Sequence, residues 1–161
     1  MRLIRQFLEP IQREYLLRLA YDDYRIWTAG SHGTGYVHTP VVDDYALAPL
    51  IQRSLACITP EEILVKDVYL IRYDNGASIP LHKDPPLADG MRHGRLNALL
   101  SAPVEGGVFM HGAFSPQLML VRDAVVFQPD VEEHGLTPLR GERLIWSVGC
   151  NYRVRVKRAG A

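Results

Sequence analysis

Residues 63–84 read ILVKDVYLIRYDNGASIPLHKD, and this stretch decides which kind of fold the chain adopts. Its first half is rich in β-branched and aromatic side chains, which favour strands. It closes on His82 and Asp84, two positions apart. Because alternate residues of a strand point to the same face, an imidazole and a carboxylate at this spacing can grip one metal ion. The stretch therefore predicts a strand that ends in two metal ligands.

Short apolar runs follow, and Gly, Pro, Asp or Asn separate them. They are RLNALLSA (95–102), GGVFMHG (106–112), QLMLV (117–121), DAVVFQP (123–129) and RLIWSVGCNYRVRV (143–156). Many short strands without helices between them are typical of a sandwich or barrel. We expect an all-β core over about 61–158, most simply a jelly roll.

The first third of the chain has helical periodicity instead. Apolar residues lie at helical spacing in about 10–21 and 44–57, and Pro10 suits a first helical turn. Between them, TAGSHGTGYVHTP (28–40) predicts a loop by composition, and a mobile loop beside a pocket often acts as a lid. The whole predicts one α+β domain over 1–161, with a helical part over about 1–60 packed on the β-core.

The composition is that of a globular protein and shows no feature of a polyanion-binding protein. Apolar residues make up 47% and charged residues 22% of the 161, and the formal net charge is zero. Proteins that hold nucleic acid usually carry a basic surplus. The basic residues at 153–158 alternate with apolar ones, which indicates one solvated strand face. We expect no nucleic-acid partner.

Targeting and cysteine signals are also missing from the sequence. The N-terminus is interrupted by charges every few residues, and no stretch approaches the roughly 18 apolar residues that span a bilayer. The two cysteines, Cys57 and Cys150, form neither a disulfide framework nor a zinc pattern. These features predict a cytoplasmic protein without a membrane partner.

A third potential metal ligand, His134, lies in VEEHGLTPLRGERL at 131–144. Two histidines and one carboxylate on one side of a metal form the facial triad, which leaves coordination positions open and suits non-haem Fe(II). His134 would come from a strand distant in sequence, which a barrel supplies. The triad of His82, Asp84 and His134 therefore predicts an iron site.

Arg143 follows His134 by nine residues. A tight turn at 140–141 would place Arg143 on the strand antiparallel to that of His134, pointing into the same barrel. A buried arginine needs an anion, because an unpaired buried charge is costly, and its planar fork suits a carboxylate. A dicarboxylate that reaches both the metal and Arg143 would satisfy both groups.

The stretch from Tyr73 to Arg143 resembles the Fe(II)/2-oxoglutarate-dependent dioxygenases, and within them the prolyl-4-hydroxylase-like branch. The resemblance covers about residues 63–152. The motif of that branch is Y-x-x-G, H-x-D, a GG segment and a histidine followed by a basic residue. Its members in this sequence are Tyr73, Gly76, His82, Asp84, Gly106, Gly107, His134 and Arg143.

The resemblance implies a double-stranded β-helix and a hydroxylase that uses Fe(II), 2-oxoglutarate and O2 and releases succinate and CO2. It implies that the two histidines and the aspartate ligate iron. Arg143 would pair with the distal carboxylate of 2-oxoglutarate, and Tyr73 would donate its hydroxyl to that carboxylate. Asn97 and Ser147 are expected to line the same pocket. Asp84 favours hydroxylation, because related halogenases carry a small residue there.

Three functions stay open at this stage. The first is hydroxylation of a small molecule, an amino acid or a peptidyl residue, with specificity in the loops 28–40 and 85–94. The second is oxidative demethylation of nucleic acid or nucleosides, as in the AlkB-like branch, against which the neutral charge argues. The third is a non-oxygenase, metal-binding cupin-like barrel.

The remaining histidines are expected outside the metal site. His111 ends a predicted strand and competes with His134 as a ligand, but no basic residue follows it at the right distance. His32 and His38 belong to the glycine-rich segment, where a solvated position is commoner than a substrate contact. His93 shows no motif.

Overall fold

Strand β4 (Ile63–His82) is 20 residues long and pairs with strands from both halves of the large sheet. Its first half pairs with β12 (Arg143–Arg153), and its second half pairs with β10 (His134–Leu136). Gly76 lies between the two halves with φ at 83°, a backbone conformation that glycine adopts at little cost. Because one strand takes part in both halves of the sheet, side chains from β12 and β10 line one common cavity.

The computed structural model describes residues 1–31, 33–88, 90–112 and 116–154. The other strands are β1 (Arg2–Ile4), β2 (Thr28–Ala29), β3 (Thr34–Pro40), β5 (Met91–Ser101), β6 (Glu105–Gly106), β7 (Phe109–His111), β8 (Pro116–Gln117), β9 (Ala124–Phe127) and β11 (Leu139–Arg140). The helices are α1 (Pro10–Ala20) and α2 (Ala48–Ile58), and a 3-10 turn, Tyr45–Leu47, precedes α2.

The strands of the large sheet follow the order β1-β9-β5-β12-β4-β10-β7-β8, with β3 on β4 and β2 on β3. Strands β6 and β11 form a separate two-stranded sheet. Neighbouring strands come from distant parts of the chain and pair antiparallel, and the accumulated twist curls the sheet strongly. The predicted α+β fold with a double-stranded β-helix core is confirmed.

Both predicted helices form and pack on one face of the sheet. At the start of α1, Glu9 and Gln12 make a capping box. Helix and strand side chains then meet in one buried cluster that includes Leu16, Leu50, Ile51, Leu70, Leu96, Trp146 and Val148. Alternate strand positions, such as Tyr69 and Ser147, point to the opposite face and line the cavity.

The predicted loop over 28–40 is wrong, because most of this segment is strand. β3 pairs with β4, and Tyr36 lies opposite Tyr73. Gly, Ser and Thr weaken the local strand signal, but the backbone of β4 supplies a hydrogen-bonding partner that composition does not reveal. His32 and residues 155–158 lie outside the described residues.

The expected pairing between the strands of Arg143 and His134 is also wrong. β12 pairs with β4 and β5, whereas β10 pairs with β4 and β7. Between them, Leu139–Arg140 pairs with β6, so the chain leaves one half of the large sheet before it enters the other. Arg143 and His134 nevertheless line one cavity, because both of their strands are neighbours of β4.

Two smaller differences concern short strands. Of the predicted strand QLMLV, only Gln117 belongs to a strand, and Leu118 and Leu120 are exposed. Sequence reasoning missed β1, whose residues pair with β9. Both short segments depend on tertiary contacts more than on their own composition. Within the described ranges, no helix is long and apolar enough to cross a membrane.

Replacing Trp146 by alanine is expected to lower the free energy of unfolding by about 3–5 kcal/mol. The indole ring is fully buried, and its N–H donates to Ser54 Oγ of α2 at 3.4 Å, so the change removes packing between helix and sheet. Denaturant unfolding measures the loss. Ile11→Ala is the control, because Ile11 is 73% exposed and should change stability by less than about 0.5 kcal/mol. Similar losses in the two variants would contradict this core.

Candidate active site

His82, Asp84 and His134 meet where β4 ends. Their candidate ligand atoms all lie within 4.8 Å of one another. Asp84 Oδ1 is 3.5 Å from His82 Nε2 and 3.7 Å from His134 Nε2. The two histidines are direct cross-strand partners, and the backbone N–H of Asp84 donates to Pro129 O at 2.8 Å just beyond the strand. Two imidazoles and a carboxylate at these distances can hold one divalent ion from one side.

Backbone carbonyls fix the orientation of both imidazoles. His82 Nδ1 lies 2.9 Å from Pro80 O, and His134 Nδ1 lies 3.2 Å from Glu132 O. A carbonyl oxygen only accepts, so each Nδ1 carries the hydrogen. Nε2 is thus the ring atom available to a metal, and in both histidines it lies within 3.7 Å of Asp84 Oδ1. Hydrogen bonds of this kind are the usual support of a metal-binding histidine.

The environment keeps His134 in the form that binds metal. Burial lowers the pKa of His134, and the neighbouring His82 lowers it further, while Asp84 and the hydrogen bond to Glu132 raise it. The net direction is downward. A metal binds only the deprotonated imidazole nitrogen, so a lowered pKa reduces competition from protons near neutral pH.

A cavity of about 220 Å³ extends from this cluster across the concave face of the sheet. Its walls come from β3, β4, β5, β7, β9, β10 and β12. Ligand pockets for drug-sized molecules are typically about 300–1,000 Å³, so this cavity suits small ligands. Each residue that sequence reasoning selected lines it, namely Tyr73, His82, Asp84, Asn97, His134, Arg143 and Ser147.

Arg143 is a buried cation at one end of the cavity. It is only 3% exposed, its guanidinium lies over the Tyr73 ring at 5.4 Å, and Nη2 donates to Met119 Sδ at 3.8 Å. No acidic side chain pairs with it among the described residues. Burial lowers the pKa of Arg143, yet a guanidinium stays protonated in proteins. A buried positive charge without a carboxylate partner makes this end a site for an anion.

Tyr73 lies beside Arg143 at the same end of the cavity. Its ring stacks on Tyr36 with centroids 5.5 Å apart, and the side chain is buried. Burial raises the pKa of Tyr73, although the nearby Arg143 opposes the shift. The phenol is therefore protonated at neutral pH and can donate a hydrogen bond.

A directional chain of hydrogen bonds links Asn97 and Ser147. Arg95 Nη1 donates to Ser147 Oγ at 2.8 Å, and Ser147 Oγ donates to Asn97 Oδ1 at 2.8 Å. Because a guanidinium only donates, Ser147 must accept from it and pass its own hydrogen to Asn97. The Asn97 carbonyl thus accepts from Ser147, and both side chains line the cavity.

Sequence reasoning missed several wall residues. Tyr36 and His38 come from the segment that was predicted to be a loop, and Phe127 comes from β9. Sequence reasoning assigned no role to Arg95, which also lines the cavity. Its alternation with Asn97 along β5 is the signal that would have assigned it to the cavity, because both point to the same face.

The other histidines have different partners. His111 lies opposite His134 in the register of β7 and β10, but its Nε2 is 3.3 Å from Glu132 Oε2. His38 packs edge-on against Tyr69 with ring centroids 5.1 Å apart. His93 is hydrogen-bonded through Nδ1 to Asn151 Oδ1 at 2.8 Å.

His134→Ala should weaken binding of a single Co(II) ion at least about 100-fold, since even the loss of a supporting hydrogen bond weakens metal sites 10- to 100-fold. Metal affinity is measured by calorimetric titration. His111→Ala is the matched control, because His111 sits one strand away and outside the cluster. It should retain binding within a few fold. Equal losses in both variants would mean that the ion is held elsewhere.

No protein-family profile matches this sequence, and no curated protein does. Solved structures do match. The viral collagen prolyl hydroxylase of Paramecium bursaria Chlorella virus 1, in complex with 2-oxoglutarate, is 19% identical with a TM-score of 0.73, over 95% of this chain and 96% of that one.

Two further solved structures are similar along nearly the whole chain. A prolyl-4-hydroxylase of Pseudomonas putida is 18% identical with a TM-score of 0.67, over 96% of this chain and 92% of that one. HygX of Streptomyces hygroscopicus, with nickel and 2-oxoglutarate bound, is 14% identical with a TM-score of 0.74, over 94% and 82%. At these low sequence identities the structural similarity establishes the shared double-stranded β-helix fold alone.

Proposed function

We propose that this chain is an Fe(II)- and 2-oxoglutarate-dependent dioxygenase that hydroxylates an unactivated C–H bond and releases succinate and CO2. The observation that carries the proposal is the pairing, within one cavity, of a His–Asp–His cluster with a buried arginine that has no acidic partner among the described residues. A small dicarboxylate is a ligand that could bind to the cluster and to Arg143 at once.

His82, Asp84 and His134 would hold the ferrous ion, which supplies the oxygen-activating chemistry when bound. A set of two histidines and one carboxylate would leave coordination positions open to a co-substrate and to O2. The backbone hydrogen bonds at Pro80 and Glu132 hold the two rings in the binding orientation. The chain thus contributes a prearranged ligand set.

Arg143 and Tyr73 would bind the distal carboxylate of 2-oxoglutarate. The planar guanidinium suits a carboxylate through two parallel hydrogen bonds, and the protonated phenol adds a third donor. Burial strengthens these interactions, because water does not compete for the donors. Asn97 and Ser147 lie on the wall that joins this end to the metal cluster, so we assign them contacts along the co-substrate.

The structural neighbours support this assignment. The viral prolyl hydroxylase binds 2-oxoglutarate, and HygX binds it together with nickel. The neighbours differ in the other ligand: a prolyl hydroxylase of Trichoplax adhaerens is in complex with a peptide fragment of hypoxia inducible factor, and HygX also binds hygromycin B. A small-molecule, amino-acid or peptidyl substrate is therefore compatible with the fold.

Anaerobic addition of Fe(II) and 2-oxoglutarate should give the weak visible charge-transfer band of a chelated keto acid. The band should be lost in His134→Ala. In Arg143→Met, 2-oxoglutarate should bind at least about 30-fold more weakly, because loss of one partner of a buried charge pair costs roughly 2–5 kcal/mol. Titration of the band with 2-oxoglutarate measures both effects.

Arg140→Met is the matched control. Arg140 lies three positions earlier in the chain, and its exposed side chain pairs with Glu105 at 3.1 Å, away from the cavity. This variant should bind 2-oxoglutarate like the unaltered chain. If the unaltered chain binds iron and gives no band, the oxygenase assignment fails and a metal-binding cupin-like protein becomes the better description.

A further inference from the structure

A turn between β9 and β10, residues 128–132, contacts two of the three candidate metal ligands, and we call it the ligand turn. The backbone N–H of Asp84 donates to Pro129 O at 2.8 Å. His134 Nδ1 donates to Glu132 O at 3.2 Å. Two carbonyl oxygens of one short segment therefore hold an acidic ligand and a histidine ligand that lie 50 positions apart in the sequence.

Hydrogen bonds that meet at Gln128 and Glu132 close the ligand turn on itself. Gln128 O accepts from the backbone N–H groups of Val131 and Glu132 at 3.0 and 2.8 Å. In the other direction, the backbone N–H of Gln128 donates to Glu132 Oε2 at 3.1 Å. A side-chain oxygen that accepts from a nearby backbone N–H stabilises a turn that the backbone alone leaves partly open. The Glu132 carboxylate therefore joins the first and last residues of the ligand turn.

Further contacts hold both ends of the ligand turn in place. Glu132 Oε1 accepts from the Met1 ammonium group at 2.8 Å, and Oε2 lies 3.3 Å from His111 Nε2. At the other end, Gln128 Nε2 donates to the Tyr152 hydroxyl at 2.7 Å, which links the turn to β12. Hydrogen bonds to an ionised carboxylate are stronger than those between neutral groups. The Glu132 side chain is thus a fixed support of the turn.

Ring packing by itself does not orient His134. Its imidazole packs between His82, with ring centroids 4.4 Å apart, and Phe127, with ring centroids 5.1 Å apart. These contacts limit where the ring lies, but a flat ring can pack equally well with either nitrogen toward the cluster. The hydrogen bond from Nδ1 to Glu132 O selects Nε2 as the nitrogen that is available to a metal. The position of Glu132 therefore matters for the ligand set.

We infer that Glu132 is a positioning residue of the proposed metal centre: through the ligand turn, its carboxylate sets the places of Asp84 and His134. Glu132 is not itself a member of the ligand cluster. Loss of a residue that supports metal ligands typically weakens metal binding about 10- to 100-fold. The inference rests on the proposed function for the identity of the metal ligands.

The experiment measures Co(II) binding by calorimetric titration and by the visible absorption bands of the bound ion, which report the arrangement of its ligands. It compares the unaltered chain with Glu132→Ala and Glu132→Gln. Glutamine removes the charge but keeps an oxygen that can accept from the Gln128 N–H, whereas alanine removes both. We expect Glu132→Ala to bind Co(II) at least about tenfold more weakly, with altered bands, and Glu132→Gln to stay within about threefold.

Glu133→Ala is the matched control, because Glu133 is the exposed next residue and its side chain makes no contact among the described residues. It should bind Co(II) like the unaltered chain. A merely structural role of Glu132 would lower the free energy of unfolding of the metal-free Glu132→Ala variant and leave its Co(II) affinity and bands unchanged, which overturns the inference. Equal losses in Glu132→Ala and Glu132→Gln also overturn it, because they would show an effect of charge alone.

Tyr152→Phe tests the ligand turn in a chain that keeps Glu132, and it decides the question if Glu132→Ala does not fold. The change removes the hydroxyl that accepts from Gln128 Nε2. Co(II) should bind about threefold more weakly, a smaller effect than that of Glu132→Ala, because this contact is one step further from the ligands. If Glu132→Ala does not fold, unchanged Co(II) binding in Tyr152→Phe overturns the inference.

Failure of the inference is distinguishable from failure of the proposed function. Unchanged Co(II) binding in Glu132→Ala removes the role of Glu132 and leaves the proposed function to the charge-transfer band of the preceding section. If the unaltered chain binds no Co(II), the assignment of the metal ligands fails, and the inference fails with it.

Discussion

The structure depends on the backbone pairing of β4 with two different strands. Its first half hydrogen-bonds to β12 and its second half to β10, so one continuous strand sets the register of both halves of the sheet. A slip of one residue would turn every side chain to the opposite face. The His82–Asp84–His134 cluster, Arg143 and the polar wall residues Asn97 and Ser147 therefore all depend on the same register, although they are far apart in the chain.

Two groups of ionisable side chains on the concave face are suited to bind a ligand. Arg143 lies at one end of the cavity, and the His82–Asp84–His134 cluster lies where β4 ends. The cluster can hold a divalent cation and Arg143 can pair with a carboxylate, so the two groups suit different ligands. In a cavity shielded from water, electrostatic interactions with a ligand are stronger than in bulk water, because the effective dielectric constant is lower. The arrangement suits a metal ion and a dicarboxylate held side by side.

Local signals were sufficient wherever the stabilising contacts are local or periodic. The β-branched run of β4 predicted a strand, and helical spacing predicted α1 and α2. The H-x-D spacing predicted that His82 and Asp84 lie close together, although Asp84 lies just beyond β4. Local signals failed at 28–40, where glycine-rich sequence forms β3 because β4 offers its edge. They also failed for the strand neighbours of Arg143, because a short excursion through β11 redirects the chain. In both cases the deciding hydrogen bonds come from residues far away in sequence.

The sequence by itself determined the fold class, the ligand types and their order, since these follow from side-chain chemistry, alternation and motif spacing. The tertiary structure decided which side chains share a cavity and that Arg143 has no acidic partner among the described residues. Those facts depend on cross-strand register and on burial, which arise only when distant segments pair. Composition alone does not reveal register or burial, because the same residues in another register would face solvent.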